Sequence, residues 1–295
     1  MDTYLAKLKS TVSPSSYAQY ARIYKLLGLE SGKELEDDRL IWAKIEDKSP
    51  NTRKNYLAAI VKLLRMHPDS ESNKKLIEVY SKLMNKEIEE SKPSNHYNEK
   101  QKANLMTLAE IEKIRDTMLS DIKPADMTKR INYETVLDHL ILSLYTLQPP
   151  RRNEYFDMLI AKSPAGLDDK HNFMLWTPKK KEFIFQRYKT AKTYGVERFA
   201  IPAQLQEVIK RYMKIRDSIA LPGNDNFLVK YGNLVFENSN DITRRLNRAL
   251  GKNIGASMLR HIYLTEKYGK TIKMMEADAE ALGHSVGQQR DYIKT

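Results

Sequence analysis

The residues with the most chemistry to offer gather near the C-terminal end of this chain and at two places upstream of it. Leu259-Arg260-His261 opens one apolar-periodic helix, Leu282-Gly283-His284-Ser285 follows a second, and Tyr292 lies eight residues beyond His284. Upstream, Arg151-Arg152 follows the helix-breaking Gln148-Pro149-Pro150, with Glu154 three residues after Arg151. Lys189 and Lys192 lie in the basic run from Lys189 to Gly195. Breaking a phosphodiester without a metal takes a nucleophile that conserves the phosphoryl bond energy and cations on the non-bridging oxygens. It also takes an acid for the leaving oxygen and a group that orients the nucleophile. Phenol, guanidinium, ammonium and imidazole groups supply those four roles.

The order Arg, Lys on a hairpin, Arg, His, Tyr resembles the tyrosine recombinases, the site-specific DNA recombinases and integrases. The resemblance covers about residues 105–292. It implies that Arg151 meets the scissile phosphate, supported by Glu154. Pro-Pro replaces the more usual Thr-Gly-Leu before it, so the frame can slip to Arg152, but the Glu154 spacing favours Arg151. One hairpin lysine would protonate the leaving oxygen. Lys189, where Tyr-Lys-Thr leaves a strand, and Lys192 are rivals for that role.

Arg260 would be the second phosphate clamp. Three residues before it the family usually has histidine or lysine, and Ser257 stands there. A serine hydroxyl can bond a phosphate oxygen but adds no positive charge. His261 reads as a buried structural histidine beside the clamp. His284 would donate to a non-bridging oxygen, aimed by the tight turn that Gly283 permits. Tyr292 would be the nucleophile, a phenol with an ordinary pKa near ~10, giving a 3′-phosphotyrosine intermediate. The resemblance implies no cofactor, no metal, and four protomers on paired sites in double-stranded DNA. The Pro-Pro-Arg-Arg box and the lysine hairpin look like the divergent branch in mobile elements and large DNA viruses of eukaryotes.

Composition agrees with a polyanion partner. Lysine and arginine number 50 against 38 acids, a formal charge of +12. Through residue 95 there are 17 basic and 14 acidic residues, and after it 33 and 24, so most of the excess lies in the part carrying the signature. Such a balance suits DNA. The chain has no cysteine, which removes disulfides, thiolate metal sites and a cysteine nucleophile. No apolar run approaches the ~20 residues of a membrane span, and the N-terminus has no signal-peptide core. An intracellular, DNA-associated location is expected, in cytoplasm, nucleoid or a host nucleus.

The elements that must position these residues read as mainly α with a small antiparallel sheet, in two domains forming a clamp on DNA. Residues 1–90 predict a helical DNA-binding domain: Ser13-Pro14 and Ser49-Pro50 start helices, with shorter ones near Leu40–Ile45 and Leu76–Ile88. Tyr17, Tyr20, Tyr24 and Tyr56 fall at helical spacing and read as core. The polar stretch 91–104 reads as a linker, and 105–295 as the catalytic domain. There Thr107 and Glu110 form a capping-box pattern, and a long apolar helix covers 132–146. A further helix restarts at Arg151, which would set the arginine pair at a helix N-terminus. Strands are expected at 172–176, 182–188 and 196–201. Two other readings fit the residues: a type IB topoisomerase-like enzyme without site preference, and an inactive DNA-binding protein, for which Ser257 is the motive.

Overall fold

The computed structural model describes residues 2–29, 33–66, 71–91 and 97–293. The chain divides into two compact units, Met1–His96 and Tyr97–Thr295. Together they are mainly helical, with a small mixed sheet in the second.

Among the described residues, the α-helices of the first unit are α1 (Asp2–Thr11), α2 (Pro14–Leu27), α3 (Asp38–Ala43), α4 (Pro50–Arg65) and α5 (Glu71–Glu90). Each Ser-Pro start works as its chemistry dictates. Ser13 Oγ accepts from the Ser16 amide at 3.2 Å and Ser49 Oγ from the Thr52 amide at 3.4 Å, with proline in the first turn of each helix. Such caps contribute about 1 kcal/mol apiece. Gly28, at φ 65°, closes α2 in the left-handed conformation. The core beneath joins Ile23, Tyr24 and Leu27 to Leu57, Ile60 and Leu64. The Tyr24 hydroxyl is buried and donates to the Ala59 carbonyl at 2.9 Å, while Tyr17, Tyr20 and Tyr56 pack against the same core.

The second unit begins earlier than the linker reading placed it. Residues 92–96 of that stretch lie outside the described residues, and Glu99–Ala103 form a helix, α6, instead of a loop. Asn98 caps it, and Asn104 Oδ1 accepts the Asn253 amide at 2.8 Å, which ties the segment to the second unit. Next come α7 (Leu108–Thr117), opened by the Thr107–Glu110 capping box, and α8 (Arg130–Thr146). From Val136 to Tyr145 every residue of α8 is buried, so it is the central helix of the unit and is covered all round.

Past Pro149-Pro150 the expected helix does not form. Residues 151–158 make tight turns whose polar groups are claimed by side chains: Tyr145 donates to the Arg152 carbonyl at 2.9 Å, and Gln148 to the Tyr155 hydroxyl at 2.8 Å. The turns lead into a strand, β1 (Leu159–Ala161), that the sequence reading lacked. With β2 (Phe173–Trp176), β3 (Lys181–Phe185) and β4 (Glu197–Ala200) it forms a sheet of order β1-β2-β3-β4. The β1–β2 pair is parallel and the others antiparallel, so the sheet is mixed where an antiparallel one was expected. Nor does β3 have a wet face. Phe183 and Phe185 enter the main core, while Ile184 joins Phe173 and Leu175 in a smaller cluster on the other side.

A four-residue helix, α9 (Ala191–Tyr194), interrupts the β3–β4 connection. Then follow α10 (Ala203–Arg216), a two-stranded ribbon of β5 (Val229–Lys230) and β6 (Leu234–Val235), and α11 (Asn240–Leu250). The C-terminal stretch was expected as two helices before the Gly-His turn. It is one, α12 (Ala256–Ala281), of 26 residues. Its first turns bury Ala256, Met258, Leu259 and Ile262, whereas beyond them only Ala279 is buried. Gly283, at φ 71°, ends it: the His284 amide returns to the Ala279 carbonyl at 3.0 Å and the Gly283 amide to Glu280 at 3.1 Å. Ser285 then caps α13 (Val286–Tyr292) through a reciprocal bond pair with Gln288.

Candidate active site

The second unit holds an open recess of about 450 Å³ with Arg151 and Arg260 in its lining. Arg151 comes from the turn after α8 and Arg260 from the second turn of α12. Bringing both arginines to one recess therefore depends on the shared core that α8 and the first turns of α12 enter, since no local motif joins them.

Arg151 is held on all sides. Its guanidinium carbon lies 4.0 Å from the Phe185 ring centroid, 5.1 Å from that of Phe199 and 5.3 Å from that of Tyr188. Stacking of this kind keeps the planar group extended and contributes about 0.5–2 kcal/mol per face. One terminal nitrogen pairs with Glu197 Oε2 at 2.8 Å, and Nε stands 3.5 Å from Glu154 Oε2. That second separation is too long and misdirected for a hydrogen bond, so Nε is buried without an acceptor. Glu154, itself buried, accepts the Arg152 amide at 3.1 Å and so shapes the turn. Arg152 points out and lines the rim. The Tyr188 phenol is held above its ordinary pKa, first by desolvation and next by the Glu197 carboxylate.

Sequence reasoning did not single out Glu197 or the aromatic walls. The signal was available in the hairpin register: Phe185 pairs directly with Glu197, and Phe183 with Phe199. Side chains alternate across a strand, so Phe185, Glu197 and Phe199 share the face turned toward Arg151.

The other sequence-derived residues are distributed elsewhere. Lys189 and Lys192 are exposed on the β3–β4 connection, and neither lines the recess, although their neighbours Thr190 and Tyr194 do. Ser257 and His261 are exposed and line a separate polar pocket with Asn98, Asn104 and Asn253. His261 is thus not the buried structural histidine that was expected; α12 turns it outward while burying Leu259 and Ile262.

His284 and Tyr292 form a pair of their own, rings stacked at 5.7 Å between centroids and 25° between planes. Tyr292 is 75% exposed. Because Arg260 lies near the start of α12 and His284 just past its end, the two are separated by about 30 Å at roughly 1.5 Å per residue. Arg151, Glu154 and Arg260 are brought together in one chain; His284 and Tyr292 are not brought to them.

The recess can bind an anion. Guanidinium groups held among aromatic walls attract a phosphate more strongly than they would in bulk solvent. In the free chain Glu197 occupies one edge of Arg151 that such an anion would use. Among the described residues no group of three or more His, Cys, Asp or Glu side chains could hold a metal ion, and no helix is long and apolar enough to cross a membrane. No protein-family model matches the chain, and a search of curated proteins finds no match.

Proposed function

We propose that this chain is a site-specific DNA recombinase or integrase that cleaves and rejoins strands through a 3′-phosphotyrosine link to Tyr292. The observation that carries the proposal is the meeting of Arg151 and Arg260 in one recess beside the lysine-bearing β3–β4 connection. That is the pair expected to clamp a scissile phosphate, and the two come from well-separated parts of the sequence. The net charge of +12 supports a DNA partner. In this reading Lys189 or Lys192 protonates the leaving 5′-oxygen, His284 donates to a non-bridging oxygen, and the first unit is a DNA-binding module that completes a clamp on the duplex. Four protomers on two sites would exchange strands, so integrating, excising or resolving a DNA element. The link conserves bond energy, and the reaction runs without ATP, cofactor or metal. The enzyme acts wherever its DNA lies, in a cell's cytoplasm, nucleoid or nucleus.

Covalent trapping tests this. Wild type and Tyr292→Phe are incubated with nicked duplexes from the ends of the genetic element that carries the gene, in EDTA, and run on a denaturing gel. A shifted band with wild type alone is the expected result. Bands with both proteins would place the nucleophile elsewhere.

A second reading, a DNA-binding protein that does not cleave, draws on the distance between Tyr292 and the two arginines. It predicts DNA binding by both proteins and no band from either.

A further inference from the structure

We infer, on the reading that Arg151 and Arg260 grip a DNA phosphate, that the recess around them also takes the base of one unpaired nucleotide of the bound strand, stacked against Tyr194 and Phe199. The recess offers more than a phosphate uses. A phosphodiester group meets guanidinium edges and has no need of aromatic walls, whereas Phe185, Tyr188, Tyr194 and Phe199 line the recess beside the two arginines. Its volume of about 450 Å³ falls within the roughly 300–1,000 Å³ of cavities that enclose a whole small molecule. With Arg152 at the rim, the lining carries three guanidinium groups against two carboxylates, Glu154 and Glu197. That balance suits one singly charged phosphodiester and leaves the remaining, apolar wall to an uncharged group.

The rings of that wall are not equally engaged. Phe185 is buried and covers one face of Arg151. Tyr188 is tied across the β3–β4 connection by its hydroxyl, which donates to the Gly195 carbonyl at 2.8 Å. Tyr194 and Phe199 line the same recess yet leave 68% and 43% of their surface to solvent. Neither is on a loose segment: Tyr194 ends α9, Phe199 is fixed by its pairing with Phe183, and Gly195, at φ 69°, turns the chain between them. Two exposed rings beside guanidinium groups complement the two parts of a nucleotide, a flat base and an anionic phosphate. Every base has a face to stack, so such a site is tolerant of sequence.

In a paired duplex a base faces the opposite strand, away from a protein that grips its phosphate. Stacking on Tyr194 and Phe199 therefore requires the nucleotide to swing out of the helix, at the cost of its pairing and stacking there. A base that is already unpaired incurs none of the pairing cost. The recess should accordingly favour DNA with an unpaired nucleotide over the same DNA fully paired.

Fluorescence anisotropy with the full chain tests this on three duplexes of the same mixed sequence: one fully paired, one with a single unpaired nucleotide, and one with an abasic unit in that place. The abasic bulge bends the DNA as the second does but brings no base. The base-bearing bulge should bind about fivefold or more tighter than the abasic one, the effect of one stacked base. Tyr194→Ala should abolish that difference and Tyr194→Phe should keep it. Equal affinity for the two bulges overturns the inference. A base preference that survives Tyr194→Ala also overturns it, as does a Tyr194→Ala chain that binds all three duplexes more weakly by the same factor, which would make Tyr194 a general DNA contact. Tight binding of a free deoxynucleoside monophosphate without any bulge preference would assign the recess to a small molecule instead. Preference for the base-bearing bulge in a chain that forms no covalent adduct leaves the base site standing while the recombinase reading fails, and adducts without that preference do the reverse.

Discussion

Glu197 stands 2.8 Å from the Arg151 guanidinium and directly across the hairpin from Phe185, whose ring covers one face of the same group. The carboxylate therefore holds the arginine in place and also competes with any anion for it. Replacing it separates the two effects. Glu197→Gln keeps the shape and removes the charge, so affinity for duplex DNA at low salt should rise about threefold to tenfold, while stability falls by no more than about 1 kcal/mol. Fluorescence anisotropy against salt concentration measures the first and urea unfolding the second. Weaker binding by the variant would mean that the carboxylate only positions the arginine.

Arg151→Lys tests the stacking. Lysine keeps the positive charge but has neither the planar fork nor the flat surface that Phe185, Tyr188 and Phe199 pack around. Adduct formation should drop by about 10²-fold or more, as when one preorganised donor is lost from a transition-state site. DNA binding should change less than threefold. Quench-gel rates of adduct formation decide this. Rates within a factor of three of wild type would show that charge alone suffices.

The packing of α11 on α8 depends on a buried ion cluster. Arg245 reaches Asp138 at 2.8 Å and Glu134 at 2.6 Å, and Arg248 reaches Asp138 at 2.7 Å from a half-exposed position. Burial raises the Asp138 pKa against the pull of both arginines. Arg245→Met, which leaves two carboxylates without their buried partner, should destabilise the protein by about 3–5 kcal/mol. Arg248→Met should cost under about 1 kcal/mol. Thermal unfolding of the two variants side by side checks the contrast, and equal losses would mean that burial does not set the scale.

His139 makes stability depend on pH. Burial, and then Arg211 and Arg115, depress its pKa from 6.5 to about 4. A histidine held neutral in the fold and free to charge when unfolded stabilises the folded state fully above pH ~6.5. That contribution is lost progressively as pH falls toward about 4, up to roughly 3 kcal/mol in all. His139→Gln should flatten the fall in unfolding free energy between pH 6.5 and 4 relative to wild type. Parallel slopes for the two proteins would remove His139 as the cause.

Much of this protein is determined by short-range rules that can be read from the sequence. Ser13-Pro14, Ser49-Pro50 and Thr107 with Glu110 begin helices because side-chain oxygens satisfy amides only three residues away. Pro149-Pro150 ends α8 because proline lacks the amide and its ring clashes with the preceding turn. The residue types around Arg151 and Arg260 already indicated anion chemistry. What only the tertiary structure decided involves partners far apart in sequence. The stretch after Arg151 forms turns instead of a helix because Tyr145, Gln148 and Glu154 take up its polar groups. Strand β1 exists because β2 offers it a ladder, and Glu197 meets Arg151 through the register of a hairpin. Apolar spacing separated Arg260 from the Gly-His turn into two helices, since that spacing reports which residues are buried. The distal part of α12 buries almost nothing in its own chain, so the spacing lapses while the backbone, meeting no proline, continues as one helix to Ala281. Whether Tyr292 lies near Arg260 is set by that continuity.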